Sequence, residues 1–318
     1  MANPNISQLL STTAESQKAA VIDNIAENNI LFMKLKERNR ILKDDGGALF
    51  RETLAYAENE TVQAQGEYDT FDTTPQDVIT SADFDQKIVT GTITMTDKEM
   101  NQNKGKGRII PLMKSKMDVL KTSFNNKFGD YALSDGTGEG GNEFGGLQLL
   151  VADDPTTGTV GGINRANYTF WRNQLYDFSV ESVTPSATTI QSSMNALYRR
   201  CQTQGGQLSD LIIAGDTYFG YYEDSLQANQ RFTDGKLAKL GFDAYKYKAA
   251  DVVYDTKCSD TRMYFLNTRF MAYKYIGEQM INVMESTRPH NQGVTIQPLT
   301  SMGNLTITNA KVHGVMIA

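Results

Sequence analysis

The chain has 318 residues, of which 40% are hydrophobic and 21% are charged, and its formal net charge is −6. A chain of this length and apolar content can bury a substantial core in one large domain or two. The mildly acidic balance argues against strong nucleic-acid binding through the chain as a whole, because duplex-binding proteins usually carry a basic excess.

Thiol and imidazole groups are scarce in this sequence. The cysteines are Cys201 and Cys258, and the histidines are His290 and His313. Two thiols provide neither the disulfide framework of a small secreted protein nor, without more histidines, a zinc site. We interpret these residues as packing or surface groups, and we expect the chain to be made in a reducing cytoplasm.

The beginning of the chain lacks both the basic and the apolar region of a signal peptide. No apolar run in the sequence approaches the ~20 residues that are needed to cross a bilayer. The sequence therefore predicts no membrane partner.

Residues 1–46 are predicted to form an exposed N-terminal arm. The stretch from Glu15 to Lys43 favours a helix, but its apolar residues make no single stripe along one face. Such a segment offers too little apolar face to offset the entropy of ordering it on its own. We therefore expect the arm to need a partner surface, and we expect the Asp-Asp-Gly-Gly sequence at 44–47 to form a turn.

Residues 47–97 are predicted to form a long two-stranded hairpin with arms at 53–62 and 89–96. The second arm alternates threonines with apolar residues and a glycine, which is typical of a strand. The connection at 66–75 is polar and rich in turn-forming residues. Because an isolated two-stranded hairpin is marginal in water, this one is expected to lie on another surface.

A long helix is predicted at about 111–134. Pro111 suits the first helical position, and apolar residues then recur at spacings that place them on one continuous stripe. They are Met113, Met117, Leu120, Phe124, Phe128 and Tyr131. At 1.5 Å per residue this helix would be on the order of 35 Å long.

The second half of the sequence has the pattern of an α/β block at 183–285, followed by further strands at 286–318. A helical stripe runs from Ile190 to Cys201, and Asp216 is predicted to cap a second helix. Strands are predicted at 211–214, 250–254, 263–267, 270–276, 294–298, 305–308 and 312–317.

The glycine-rich run Gly136–Gly141 invites a nucleotide-binding interpretation. A dinucleotide-binding loop follows a strand and precedes a helix, so that the helix N-terminus meets the pyrophosphate. Here the glycines follow the long helix, and the Gly-Lys-Ser/Thr ending of a phosphate loop is absent. We favour a helix C-cap followed by a sharp exit.

Other candidates for chemistry also lack the required context. Asp153-Asp154-Pro155 is typical of a turn, the basic run at 104–108 is typical of a solvated loop, and Trp171 is expected to anchor a core or an interface. The sequence has no serine-hydrolase elbow, and no Cys–His or carboxylate pair can be nominated for catalysis. We therefore predict that the protein is not an enzyme, with no catalytic, cofactor-binding or metal-binding residue and no cofactor.

The order of the predicted elements resembles the HK97-like fold of tailed-bacteriophage major capsid proteins. Several short sequences are also similar to one branch of these coat proteins and occur in the same order. They are Tyr56-Ala57-Glu58-Asn59, Ser134-Asp135-Gly136-Thr137-Gly138, Gly145-Gly146-Leu147, the run from Gly158 to Ala166, and Trp171-Arg172-Asn173. The resemblance extends from about Leu31 to the C-terminus.

The resemblance implies an α+β fold with four parts. Residues 1–46 would be the N-arm, and residues 47–97 would be the extended hairpin that is called the E-loop. Residues 98–182 would form the P-domain around its spine helix, with return strands from 286–318. Residues 183–285 would form the A-domain.

The resemblance also implies that the function is assembly. The chain would be a major capsid protein that forms hexamers and pentamers of an icosahedral phage head, with double-stranded DNA inside held by non-specific proximity. It would be located in the virion after assembly in the host cytoplasm. Scaffolding, portal and decoration proteins stay open as further partners, whereas a fused scaffold and a covalent crosslink through Lys87 are not expected.

Two other interpretations stay open. An encapsulin-like compartment shares this fold but encloses an enzyme cargo. A soluble α/β enzyme would instead bind a nucleotide at Gly136–Gly141, and it predicts a monomer or small oligomer where a shell protein predicts capsomers or shells.

Overall fold

The structure is a computed structural model that describes residues 29–102, 106–202, 208–226 and 244–318. Within these ranges the chain mixes helices and sheets, as the α+β class requires. The helices are α1 (Ile30–Glu37), α2 (Asp97–Gln102), α3 (Lys106–Leu133), α4 (Gly138–Gly141), α5 (Leu147–Leu150), α6 (Ile190–Cys201) and α7 (Asp216–Ser225), with 3-10 turns at Thr169–Trp171 and Thr268–Phe270. The strands are β1 (Ile41–Asp44), β2 (Leu49–Ala55), β3 (Ile79–Asp85), β4 (Lys87–Thr96), β5 (Thr159–Val160), β6 (Ile163–Asn164), β7 (Gln174–Asp177), β8 (Leu211–Ala214), β9 (Ala244–Tyr247), β10 (Ala250–Tyr254), β11 (Arg262–Leu266), β12 (Met271–Ile276), β13 (Asn282–Val283), β14 (Val294–Ile307) and β15 (Gly314–Ile317).

A five-stranded sheet is organised around β14, a strand of 14 residues. Its first part, from Val294 to Gly303, pairs antiparallel with β4, and its last part, from Met302 to Ile307, pairs antiparallel with β12. The short strand β13 also pairs with β14, and β1 lies parallel to β12. The two strands predicted at 294–298 and 305–308 are thus one continuous strand.

This pairing corrects the predicted hairpin. The sequence predicts that 89–96 pairs with 53–62, but this is wrong, because β4 pairs with β14 and β2 pairs with β3. Alternation correctly identifies β4 as a strand with one buried face, on which Ile93 and Met95 lie. It carries no information about which partner strand completes the hydrogen bonds.

The second sheet has six strands in the order β7-β15-β11-β8-β10-β9. Strand β8, one of the two middle strands, is buried on both faces. Leu211 and Ile213 belong to the larger core, whereas Ile212 and Ala214 belong to a second core that also contains Met194 and other residues of α6 and α7. Burial on both faces explains why the predicted strand 211–214 is a continuous apolar run without alternation.

Each of the two sheets contains strands from more than one of the ranges that the sequence predicts. Strand β12, from the 183–285 block, lies in the five-stranded sheet, and the last strand, β15, pairs with β11 and β7 in the six-stranded sheet. The return strands of 286–318 therefore contribute to both sheets. The division into five ranges stays a prediction about the parts of the chain.

The described part of the N-terminal arm corrects another expectation. The sequence predicts an exposed segment that awaits a partner, but α1 is buried within its own chain, with Phe32 and Leu35 at 0% exposure. The ring of Phe32 lies 5.6 Å from that of Phe128 and 5.4 Å from that of Tyr273. The sequence of α1 shows no single apolar stripe because other parts of the chain cover several sides of this short helix, and each covered side is apolar. Residues 1–28 lie outside the described residues.

The long helix α3 begins at Lys106, five residues before the predicted first position, and it ends at Leu133. Pro111 therefore lies inside the second turn, where its missing N–H leaves only the backbone bond to residue 107 unmade. The predicted stripe is confirmed, because Met113, Met117 and Phe124 are buried and so are the two aromatic residues that follow them on the stripe. The helix thereby forms one wall of the larger core.

The burial of α1 gives the first prediction. Replacement of Phe32 by alanine should lower the free energy of unfolding by about 3–5 kcal/mol, because the cavity lies among rings that cannot collapse into it. Urea denaturation measures this loss. Phe71→Ala is the matched control, since Phe71 is 82% exposed, and its effect should stay within about 0.5 kcal/mol. Equal effects of the two replacements would show that α1 does not belong to the core.

Candidate assembly interface

The connection between β2 and β3, from Tyr56 to Val78, is the most exposed part of the described chain. Val62, Tyr68 and Phe71 are 84%, 93% and 82% exposed. The loop is shaped by short internal hydrogen bonds, such as the one that the Gly66 N–H donates to Asp69 at 2.6 Å. Large apolar side chains on a loop without a core of its own indicate a surface for a partner.

The strands that carry this loop are held firmly. The buried side chains Phe50, Leu54, Ala82 and Phe84 anchor β2 and β3 to the larger core. On the opposite, exposed face Arg51 donates two hydrogen bonds to Asp83, at 2.8 and 3.1 Å. The pair keeps the pKa of the Asp83 carboxyl below its usual range.

Polar groups of the five-stranded sheet add further anchors. The Thr306 hydroxyl donates to Glu52 at 2.7 Å, and the Asn304 amide donates to the carbonyl of Asp85 at 2.7 Å. Lys274 Nζ lies 3.0 Å from the Glu52 carboxylate. These bonds reach both strands of the hairpin, so the exposed loop projects from a rigid base.

The segment from Gly158 to Trp171 lies beneath the hairpin. The Gly161 carbonyl accepts a hydrogen bond from the Asp83 N–H at 2.9 Å, and Trp171 Nε1 donates to the Val160 carbonyl at 2.9 Å. Trp171 is 1% exposed, so of the two predicted roles, an anchor of a core or of an interface, the structure shows the core anchor.

Arg165 holds the same segment from below. Its buried guanidinium donates to the carbonyls of Leu149 and Leu150 at 3.2 and 2.6 Å. Burial lowers the pKa of Arg165 to about 10. These two hydrogen bonds tie the segment from Gly158 to Trp171 to α5.

Gly161 gives the second prediction. Its φ is +57°, and a Cβ there would lie 2.8 Å from the Ala82 Cβ and 3.1 Å from the Phe84 ring. Gly161→Ala should therefore destabilise the hairpin by about 1–3 kcal/mol more than Gly158→Ala, because both strain the backbone but only the first also clashes. Gly158 has a φ of +85° and open space around its Cβ position. Hydrogen exchange of residues 79–85 measures the difference, and equal exchange in the two variants would contradict it.

The glycine-rich run after α3 forms a turn whose backbone groups are hydrogen-bonded to side chains of the same chain. The buried Glu143 carboxylate accepts a hydrogen bond from the Gly138 N–H at 2.9 Å, and Lys87 Nζ donates to the Gly141 carbonyl at 2.8 Å. A phosphate would need backbone N–H groups that are free of an acidic neighbour. The geometry therefore supports the predicted sharp turn at the end of the helix, and it gives no support to a nucleotide-binding site.

The cysteines and histidines do not come together into a site. Cys201 and Cys258 are free and buried, and burial raises the pKa of each thiol to about 12, so both stay protonated at neutral pH. His290 is exposed. His313 is buried, and its Nδ1 accepts a hydrogen bond from the Asn267 N–H at 3.3 Å, whereas its Nε2 has no partner among the described residues.

His313 gives the third prediction. Complete burial lowers its pKa to about 3, so between this value and about 6.5 the unfolded chain binds a proton that the folded chain does not. Stability should therefore fall with decreasing pH, with this residue contributing a slope of about 1.4 kcal/mol per pH unit below pH ~5.5. Urea denaturation from pH 8 to pH 4 should show this slope in the His290→Asn control and lose it in His313→Asn. Identical slopes in both variants would contradict the assignment.

The last two candidates are the aspartates at 153–154 and the basic run at 104–108. Asp154 accepts hydrogen bonds from the N–H and the hydroxyl of Thr156, at 2.9 and 2.6 Å, and Asp153 forms an ion pair with Arg262. These contacts are those of a structural turn. The basic run at 104–108 lies outside the residues whose side chains the structure describes. Among the described residues, no group of histidine, cysteine and carboxylate side chains could hold a metal ion, and no helix is long and apolar enough to cross a membrane.

Comparison with known proteins identifies the architecture. No protein-family model and no curated protein matches the chain. Among solved structures, the cyanophage A-1(L) capsid is similar over 88% of this chain and 90% of that one, with a TM-score of 0.64 and 16% identity. The capsid of Myoviridae phage XM1 is similar over 89% and 91%, with a TM-score of 0.54 and 11% identity. The chain has the HK97-like capsid fold.

The same fold also occurs in an encapsulin. The SrpI encapsulin of Synechococcus elongatus PCC 7942 is similar over 89% of this chain and 86% of that one, with a TM-score of 0.55 and 8% identity. The resemblance derived from the sequence is confirmed as a likeness of fold. Sequence reasoning missed β3, although Ala82 and Phe84 alternate there with Asp83 and Asp85, which is a strand signal.

Proposed function

We propose that the chain is the major capsid protein of a phage head, and that it assembles with copies of itself into hexamers and pentamers of an icosahedral shell around double-stranded DNA. The observation that carries this proposal is the exposed loop 56–78, with its three large apolar side chains on a rigid hairpin. A monomer gains nothing from such a loop, whereas a closed shell reuses the same contact many times. The likeness to phage capsids supports a second copy as the partner.

The negative charge of the loop indicates the charge of the surface that it would contact. Residues 56–78 contain six carboxylates and no Lys or Arg, so this loop accounts for a formal charge of −6, which equals the net charge of the whole chain. The acidic residues are Glu58, Glu60, Glu67, Asp69, Asp72 and Asp77. Two such loops repel each other, so the receiving surface on a neighbouring copy should be neutral or basic.

The loop gives the fourth prediction. Replacement of residues 58–76 by a short Gly-Ser linker should leave the free energy of unfolding of the subunit unchanged, because both anchoring strands stay intact. The same variant should fail to form closed shells, as electron microscopy and light scattering can show. The triple variant Val62→Ser, Tyr68→Ser, Phe71→Ser should also assemble poorly.

Val180→Ser is the control for these replacements. Val180 is 77% exposed but lies outside the loop, so its replacement should leave assembly as in the wild type. Shells of normal yield and stability from the linker variant would refute the role of the loop.

The second candidate is an encapsulin-like compartment, which the likeness to the SrpI shell supports. The contents of the particles distinguish the two. A phage head purified from its source should contain nuclease-protected double-stranded DNA and, in addition, portal protein. Particles that contain one co-purifying enzyme and no DNA would favour the compartment. A head would take scaffolding and decoration proteins as further partners, and it would assemble in the host cytoplasm before release as a virion.

A further inference from the structure

An open pocket of about 350 Å³ lies at the root of the exposed loop. The loop contributes Tyr56 and Asp77 to its lining, one from each end, and the segment beneath the hairpin contributes Tyr168 and Phe170. Ligand sites in proteins usually have volumes of about 300–1,000 Å³. The pocket therefore has room for one side chain or a group of similar size.

Three aromatic rings give this pocket its character. The centre of the Phe170 ring lies 5.2 Å from that of Tyr56 and 5.9 Å from that of Tyr168. Tyr56 and Phe170 are half-buried, and Tyr168 is 52% exposed, so a ligand in solution can reach the rings. The face of an aromatic ring carries partial negative charge and attracts a cation that lies within about 6 Å of its centre.

The charge of the pocket also favours a cation. Among the described residues that line it, Asp77 is the only charged one. Desolvation and the Asp77 carboxylate raise the pKa of the Tyr56 hydroxyl, and a carboxylate that faces a hydroxyl still has lone pairs for a cation. The sequence from Glu52 to Gln86 contains nine carboxylates and no Lys or Arg. The local field is therefore negative.

The arginines of the segments that build the pocket have other partners. Arg51 pairs with Asp83 on the exposed face of the hairpin. The guanidinium groups of Arg165 and Arg172 donate to backbone carbonyls of residues 149, 150, 165 and 166. Within the part of the chain that the structure describes, Asp77 forms no ion pair. The described chain therefore supplies no cation to its own pocket.

We propose that this aromatic pocket binds the guanidinium or ammonium group of an Arg or Lys side chain from a neighbouring copy of the chain. The inference rests on the proposed function and identifies the chemistry of one contact within it. The ring faces attract the cation and the Asp77 carboxylate pairs with it. An apolar occupant would instead bury this carboxylate without a counter-charge, which costs free energy.

A second copy is the occupant because the pocket is continuous with the loop that is proposed to meet a neighbour, and because the chain carries a complementary surface. Residues 34–43 contain five Lys or Arg residues and a single acidic one. Lys43, at the end of this basic stretch, is exposed. Opposite charges on two copies favour their encounter and fix the register of the contact.

The first arm of the experiment measures binding of a small cation to the full chain. The probe is N-acetyl-arginine amide, and its uncharged analogue N-acetyl-citrulline amide has nearly the same shape. Saturation-transfer NMR detects weak ligands of a large protein, and the titrations are made at constant ionic strength. The wild type should bind the charged probe on the order of fivefold more tightly than the uncharged one, because only the cation interacts with the ring faces and the carboxylate.

Matched variants locate this binding in the pocket. Tyr168→Leu and Asp77→Asn should each weaken binding of the charged probe about threefold or more, whereas Tyr168→Trp should retain it, since indole is the best ring for a cation. Tyr68→Leu and Asp72→Asn are the controls, because they make the same kinds of change at exposed loop residues outside the pocket. Equal binding of the two probes to the wild type, or equal losses in the pocket variants and the controls, would overturn the inference.

The second arm asks whether a neighbouring copy supplies the cation. Shells of Asp77→Asn and of Tyr168→Leu should dissociate at lower urea concentrations than those of the wild type, as light scattering can follow, and shells of Tyr168→Trp should match the wild type. Shells of equal stability from all four proteins would show that no neighbouring cation occupies the pocket, and the inference would be wrong.

The two arms separate this inference from the proposed function. A wild type that forms shells but does not prefer the charged probe would refute the pocket and leave shell assembly standing. A wild type that binds the charged probe but forms no shell at high concentration would refute the proposed function, and with it the neighbouring copy as the source of the cation.

Discussion

The double pairing of β14 is the constraint on which the rest of the structure depends. One strand carries β4 along its first part and β12 along its last part, so it joins a strand that precedes the long helix to a strand that follows β11 of the second sheet. Side chains from its last part, Asn304 and Thr306, also reach the hairpin β2–β3. Long-range pairing of this kind is costly in chain entropy. In return, the five-stranded sheet forms a base to which the hairpin β2–β3 is fixed.

That base explains why the loop 56–78 can be both exposed and well placed. Apolar side chains at its root are buried, while those beyond it are exposed, so the boundary between core and interface falls within one hairpin. A flexible apolar loop would lose more entropy on docking than one whose strands are already ordered. The ordered root therefore favours weak but specific contacts of the kind that the proposed shell would repeat many times.

The sequence predicts the elements of this fold better than their partners. The stripe of α3 and the short apolar strand at 211–214 depend on local spacing, and the structure confirms both. The pairing of β4 with β14 could not be predicted, because residues some 200 positions apart leave no local signal of register. The burial of α1 could not be predicted for another reason. Residues 30–35 are apolar on most sides, and the same pattern fits both a poorly amphipathic exposed segment and a helix that is enclosed on several sides.

The central claim is that the exposed loop binds another copy of the same chain. Electron cryo-microscopy of particles formed by the purified wild-type protein tests it most directly. The account predicts a closed shell of pentamers and hexamers in which Val62, Tyr68 and Phe71 of each copy are buried against a neutral or basic surface of a neighbour. A protein that stays monomeric at high concentration, or a shell in which these three side chains remain in solvent, would contradict it.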